Sequence, residues 1–103
     1  MTRSKTAMIP TRDLAVRAVG ALLHHQPMTP AKLRFAWECA VGAGMARVTS
    51  VTLDAAGLLH VTAENGHWRR EVIRSASVIM ARLGGLLGTD QVKRMTVTIK
   101  GHA

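Results

Sequence analysis

Apolar residues recur along this chain with two periods, and the change of period separates predicted helices from predicted strands. A period of three to four residues predicts a first helix from Thr11 to about His25. Its expected buried face consists of Leu14, Ala18, Ala21, Leu22 and His25. Thr29-Pro30 starts a second helix, because Thr caps well and Pro suits the first helical position. Its expected buried stripe consists of Leu33, Trp37, Ala40 and Val41, and Gly42 and Gly44 end it.

A period of two residues predicts a β-hairpin in the middle of the chain. The segment from Met45 to Asp54 is rich in Val and Thr, which favour strands. Asp54-Ala55-Ala56-Gly57 is typical of a hairpin turn, with Gly57 supplying a positive φ. The return strand runs from Leu58 to about Ala63. Residues expected to face inward are Val51, Leu53, Leu59, Val61 and Ala63, and those expected to face outward are Ser50, Thr52, His60 and Thr62.

The C-terminal part predicts one long helix and a closing strand. Asn65 caps a helix that we expect to run without a break from Gly66 to about Leu87. Its expected apolar face consists of Trp68, Val72, Ala76, Ile79, Leu83 and Leu86. The last strand spans about Val92 to Lys100. A strand–helix–strand crossover makes the second and third strands parallel.

These elements predict an α+β fold in the order α-α-β-β-α-β, with a three-stranded mixed sheet and helices packed on one face. We expect a single domain over residues 11–100, preceded by a flexible basic tail over residues 1–10. The apolar fraction of 48% is sufficient for one core, in which Trp37 and Trp68 are expected to be buried.

Charge is the strongest compositional signal. The chain has 14 Lys and Arg against 6 Asp and Glu, a formal net charge of +8, which favours an acidic partner such as nucleic acid. The alternative is a solvated helix face that is partly balanced by Glu71. The candidate phosphate contacts are Lys32, Arg34, Arg47, Arg69, Arg70, Arg74, Lys93 and Arg94.

The sequence offers no candidate chemistry for an enzyme. No His, Cys or acidic residues have the spacing of a catalytic or metal site, and the Gly-rich segment at 84–88 follows a helix, whereas a phosphate-binding loop precedes one. We therefore expect no cofactor and no small-molecule substrate. The single Cys39 is expected to be a buried thiol in a reducing compartment, and no apolar run is long enough to span a membrane. These features predict a cytoplasmic protein without a membrane association.

Four short motifs resemble those of the DciA-type family, a bacterial family long described as of unknown function. The second helix contains W-x3-V-G at residues 37–42, and the hairpin contains D-x-x-G-x-L-x-V at residues 54–61. The third helix starts with W-x-x-E-[LIV] at residues 68–72, and residues 92–99 match the closing strand.

The resemblance implies a fold similar to a type II KH domain, without the KH Gly-x-x-Gly loop. It also implies a partner, the bacterial replicative helicase, which such a protein helps to load on DNA at replication initiation. Binding of DNA, expected to be single-stranded and weakly sequence-selective, is a further implication. Two alternatives stay open, which are a KH-like RNA-binding module and a protein-interaction domain without nucleic-acid affinity.

Overall fold

The structure, a computed structural model, describes residues 18–101. The described chain contains five helices and three strands. The helices are residues 18–23 (α1), Pro30–Val41 (α2), Ala43–Arg47 (α3), Gly66–Arg74 (α4) and Ala76–Leu87 (α5). The strands are Thr49–Leu53 (β1), Leu58–Ala63 (β2) and Arg94–Ile99 (β3). The basic tail predicted for residues 1–10, and the predicted start of the first helix, lie outside the described residues.

The sheet has the order β1-β2-β3. Strand β1 pairs antiparallel with β2, with Val51 opposite Val61, and β2 pairs parallel with β3, with Val61 opposite Val97. Gly57 closes the hairpin with φ 86°, a conformation that residues with a Cβ adopt at a cost. The α+β class and the mixed three-stranded sheet are therefore confirmed.

The two faces of the sheet differ in chemistry, because alternate residues point to opposite sides. One face packs against the helices and holds the apolar side chains Val51, Leu53, Leu59, Val61, Ala63, Met95 and Val97. On the opposite face, registered rows place Ser50, Thr62 and Thr98 side by side, and Thr52, His60 and Thr96 side by side. We call these six residues the open sheet face.

The core centres on Trp37, whose side chain is completely buried. Its indole Nε1 donates a hydrogen bond of 2.8 Å to Thr49 Oγ1, and that hydroxyl donates a bond of 2.8 Å to the Met45 carbonyl. One hydroxyl therefore satisfies two buried or half-buried polar groups and ties α2 to the junction between α3 and β1. The apolar face of α5 completes the core with Ile79, Leu83 and Leu86.

The first helix differs from its prediction in both its end and its buried face. The helix ends at Leu23, and residues 24 and 25 form a turn. Gly20 and Leu23 are buried, whereas Leu22 is 70% exposed. The cause is a close approach of backbones, since a Cβ on Gly20 would collide with the carbonyl of Gly85. The helix therefore turns its glycine, and not its alanines, toward α5.

The first strand is shorter than predicted, because Ala43–Arg47 forms α3. Gly42 has φ 89°, which lets the chain change direction and begin a new helical turn directly after α2. The following residues, which include Ala43, Met45 and Ala46, favour helix. Strand β1 consequently begins at Thr49.

The long helix predicted from Gly66 to Leu87 is in fact two helices. Ser75 has φ −97° and ψ 9°, values of the sparsely allowed bridge region, and it separates α4 from α5. The apolar stripe still continues across the break through buried Val72 and Ile79. Trp68, in the first turn of α4, is only partly buried, in contrast to the core position predicted for it. The pair of helices between β2 and β3 is consistent with a KH-like order.

Candidate nucleic-acid interface

The clearest concave basic site lies at one end of the sheet. The antiparallel hairpin and the parallel crossover bring the start of β1 next to the ends of β2 and β3. A groove of about 180 Å³ there is lined by Arg47 and Lys100 together with Ser50 and Thr62. Glu64 also lines it and is the one carboxylate in its wall. Two cations and two hydroxyls can thus face the same small volume.

Arg34 extends this basic surface along α2. Arg34 and Arg47 line a second depression, with Glu38 and the start of α3. Both arginines are exposed. Because Arg47 borders both depressions, it links Arg34 to Lys100.

Two further arginines lie along the outer side of β3. Arg69 is exposed, and its Nε donates a 3.1 Å hydrogen bond to the carbonyl of Val97. An Arg70 Nη1 atom lies 3.7 Å from the position that a Cβ on Gly66 would occupy, and Ile99 Cδ1 lies 3.9 Å from the same point. Arg70 is therefore next to the end of β3, where Lys100 follows. We call the set Arg34, Arg47, Lys100, Arg70 and Arg69 the basic arc.

Four predicted contacts lie outside the arc, of which Lys93, Arg94 and Arg74 are exposed and Lys32 is buried. Lys93 and Arg94 are at the start of β3, where Arg94 is in register with Leu58. At about 3.3 Å per residue, roughly 20 Å separate Arg94 from Lys100. Arg74 follows Arg70 by one turn of α4 and pairs with Glu71 at 3.4 Å. Its side chain is 73% exposed, and such pairs contribute about 0–1 kcal/mol, so Arg74 can exchange Glu71 for another anion.

Lys32 is a buried structural residue, although its charge makes it a candidate phosphate contact. The residue is only 8% exposed, and its Nζ donates a 2.6 Å hydrogen bond to the Gln26 carbonyl beyond α1. It therefore joins the start of α2 to the preceding turn and is not available to a phosphate in this conformation. Arg82 has a similar role, since its Nη1 donates to the Ala40 carbonyl near the end of α2 at 3.1 Å.

The remaining polar chemistry of the described chain is modest. Hydrogen bonds lower the pKa of Asp54, mainly from the Leu58 amide and then from the His60 ring, 3.2 Å away. Within residues 18–101, no three His, Cys, Asp or Glu side chains are grouped so as to hold a metal ion. In the same range, no helix has the length and apolar character needed to cross a bilayer.

Sequence reasoning predicted most members of the basic arc but not their grouping. Lys100 is one of the basic residues of the last strand but is not among the eight candidate contacts, although it continues the alternation of Arg94, Thr96 and Thr98 beyond β3. That alternation was the available signal, because it places Lys100 on the open side of the sheet. Its proximity to Arg47 depends on the pairing of three strands, which no local pattern specifies.

The comparison with known families gives a definite result. The sequence profile of the family described as Dna[CI] antecedent, DciA, matches residues 11–97. A search of curated proteins gives no significant match. The matched range covers α2 through most of β3, and thus the buried Trp37, the hairpin and the α4–α5 pair. The chain therefore belongs to the DciA family, a family linked to helicase loading in DNA replication.

Proposed function

We propose that this protein is a non-enzymatic, cytoplasmic accessory factor that binds DNA phosphates with its basic arc and assists the loading of the replicative helicase. The observation that carries the DNA-binding part is the groove in which Arg47 and Lys100 face the hydroxyls of Ser50 and Thr62. Arg, Lys, Ser and Thr side chains supply many of the phosphate contacts in protein–DNA complexes.

The dimensions of the surface fit a nucleic-acid backbone. Val97, which Arg69 contacts, and Lys100 lie three residues or roughly 10 Å apart on the extended chain, and phosphates of one strand in duplex DNA follow each other at about 3.4 Å along the axis. A backbone that follows the outer side of β3 therefore passes several phosphates between Arg69 and Lys100. Continuation past Arg47 to Arg34 extends the same path across α3 and α2.

The chemistry of the surface favours binding without base readout. The open sheet face has hydroxyls and one imidazole, and the described basic arc contains no aromatic side chain on which bases could stack. Charge then dominates the affinity, so the expected binding is weakly sequence-selective and strongly dependent on salt.

The proposal is tested by the binding of a fluorescent single-stranded DNA to the purified protein across a salt series. If all five members of the basic arc contact phosphates, log K should fall with log salt with a slope of about −3.5, at about 0.7 per contact. Replacement of Arg47 and Lys100 by Ala should reduce the magnitude of that slope by about 1.4.

The matched control removes two charges from the other end of β3, with Lys93→Ala and Arg94→Ala. Equal losses in both double variants would show general attraction to a cationic protein and would contradict a localised interface. Absence of binding at about 50 mM salt would refute the DNA proposal and favour a protein-interaction domain. Tighter binding of RNA of equal length would favour the KH-like RNA-binding alternative.

The helicase part of the proposal is supported by membership of the family. The basic arc follows the β3 edge and the end of the sheet as far as Arg47 and Arg34, so we expect the part of the β1 edge near Leu53 to be available to a protein partner while DNA is bound. A pull-down of the replicative helicase from the same bacterium, at salt high enough to suppress DNA binding, tests this separation. Retention that disappears with nuclease treatment would instead mean that the two proteins meet only through DNA.

A further inference from the structure

The two edges of the sheet differ in how their backbone groups are used. Hydrogen bonds from Asp54 N to Leu58 O and from Glu64 N to Val48 O establish that even-numbered residues of β1 bond to β2. In an antiparallel pair the bonded positions alternate, so the amides and carbonyls of Val51 and Leu53 point away from the sheet. No described strand pairs with this side of β1.

The β3 edge is partly closed. Lys100 N donates to Ala63 O, so even-numbered residues of this end of the chain bond to β2 and odd-numbered residues of β3 point outward. The outward carbonyl of Val97 accepts the hydrogen bond from Arg69, and α4 packs along β3. A charged side chain on an edge is a common protection against pairing with another strand. Helix α2 also packs against β1, but no described residue hydrogen-bonds to the outward backbone groups of Val51 and Leu53.

An apolar groove runs beside the open edge. It is lined by Met28, Pro30 and Leu33 on the helix side and by Val51 and Leu53 on the strand side, with hydroxyls only from Thr29 and Thr52. Its volume is about 230 Å³, below the roughly 300–1,000 Å³ of most small-molecule sites. The groove therefore suits one or two apolar side chains. Unpaired backbone groups next to side-chain pockets are the two components of recognition by strand addition.

The charge of the protein favours one kind of partner for the β1 edge over another. A second copy of this chain would bring two formal charges of +8 together, which opposes self-association. At the start of β1 the exposed Arg47 and Arg34 attract acidic side chains, whereas Asp54 at its end repels them. We propose that the β1 edge binds an extended segment of a protein partner that has apolar residues at alternate positions and acidic residues at the end beside Arg47.

This site goes beyond the DNA interface and lies on a different edge of the sheet, and only its acidic end shares Arg47 and Arg34 with the basic arc. The probe is a synthetic peptide that alternates Val and Thr over six residues and ends in two Glu residues, with its reversed sequence to cover both strand directions. The control peptide has the same composition with the Val residues contiguous. The alternating peptide should bind in one direction more tightly than the control, because only alternation places every Val on the groove side.

Hydrogen exchange resolves the mode of binding residue by residue. In the free protein the amides of Ser50 and Thr52 bond to β2 and should exchange slowly, whereas those of Val51 and Leu53 should exchange fast. Added peptide should slow exchange at Val51 and Leu53 and leave Ser50 and Thr52 almost unchanged. Peptide binding without protection at Val51 and Leu53 would overturn strand addition.

Two variants separate the groove from the edge. Met28→Lys places a charge in the groove at a residue that is already 37% exposed, and it should weaken the peptide at least about tenfold, because a charge is then buried without a partner. Ala81→Lys adds the same charge at an exposed position of α5 and should have little effect. Val51→Pro removes an outward amide without removing a bond to β2 and should weaken binding about 2- to 10-fold.

The other occupants give distinct results, each of which contradicts the proposal. A concentration-dependent dimer that Val51→Pro dissociates would assign the edge to a second copy. Peptide binding that appears only after removal of residues 1–10 would assign it to the chain's own N-terminal segment. Equal losses of peptide affinity in Met28→Lys and Ala81→Lys would show that the added charge, and not the groove, weakens binding. Val51→Pro lies outside the basic arc and should leave the DNA salt slope unchanged, so a loss of peptide binding in that variant is separate from the outcome of the DNA proposal.

Discussion

The hydroxyl of Thr49 is the polar group on which the core depends most, and its removal is the sharpest test of the packing described above. In Thr49→Val the shape of the side chain is retained, while the indole N–H of Trp37 and the carbonyl of Met45 both lose their 2.8 Å partner. Trp37 is completely buried, so water cannot replace the lost acceptor without entering the core.

The size of the effect follows from these contacts. A buried donor left without an acceptor costs about 1–3 kcal/mol. Met45 is only half-buried, so its carbonyl adds little if solvent reaches it. We therefore expect a loss of about 2 kcal/mol in the free energy of unfolding, which for a domain of this size lowers the Tm by about 8–16 °C.

Urea unfolding followed by circular dichroism measures this loss. The midpoint should fall without a change in the m-value, because the surface exposed on unfolding stays the same. Thr49→Ser retains the hydroxyl and loses one methyl, so it should cost only about 0.8 kcal/mol. A Thr49→Val protein as stable as the Thr49→Ser protein would refute the assigned role of the hydrogen bonds.

Three other predictions follow from single contacts. Gly57→Ala should lower stability by about 1–2 kcal/mol in thermal unfolding, because φ is 86° and a new Cβ would lie 3.0 Å from Lys93 Cγ; an unchanged Tm would contradict the turn geometry. Lys32→Ala should lower the free energy of unfolding, because the 2.6 Å bond from Lys32 to Gln26 is lost, and it should leave the DNA salt slope unchanged. A reduced slope would show that Lys32 contacts DNA. The lowered pKa of Asp54 means that the ionised carboxylate stabilises the hairpin above its usual pKa of 3.8 and that this stability is lost as the pH falls through the lower folded value. Asp54→Asn should remove this acid dependence in pH-dependent unfolding, and an identical acid profile in both proteins would contradict it.

The sheet could be predicted from the sequence because its signals are local. Alternation in β1, β2 and β3 specifies which residues face the core, and Asp54 to Gly57 specifies a turn between the first two strands. Parallel pairing of β2 and β3 then follows from the length of the helical crossover. Each of these inferences uses residues close together in the chain.

The errors in the helices arise at glycine and serine, residues that add nothing to a hydrophobic pattern. Gly20 has no side chain to contribute to a hydrophobic pattern, but its absence of a Cβ lets α1 approach Gly85. Ser75 interrupts a pattern that a helical wheel reads as continuous. The close approach at Gly20 depends on which helix lies opposite, and local sequence patterns do not specify that.

The interface could be predicted in composition but not in arrangement. Arg47 and Lys100 are 53 residues apart in the chain and meet only because three strand ends coincide. Lys32 shows the opposite error, since its charge resembles that of Arg34 while its side chain is buried. Charge alone therefore overestimates the number of available cations and does not identify which of them act together.

The most direct test of the central claim is helicase loading on closed circular single-stranded DNA, measured as helicase retained on DNA after gel filtration. The replicative helicase of the same bacterium is compared alone, with the wild-type protein, and with the Arg47→Ala/Lys100→Ala double variant. Wild-type protein should increase the loaded fraction, and the double variant should retain helicase binding at high salt but load less. A wild-type protein that binds DNA and leaves helicase loading unchanged would contradict the account.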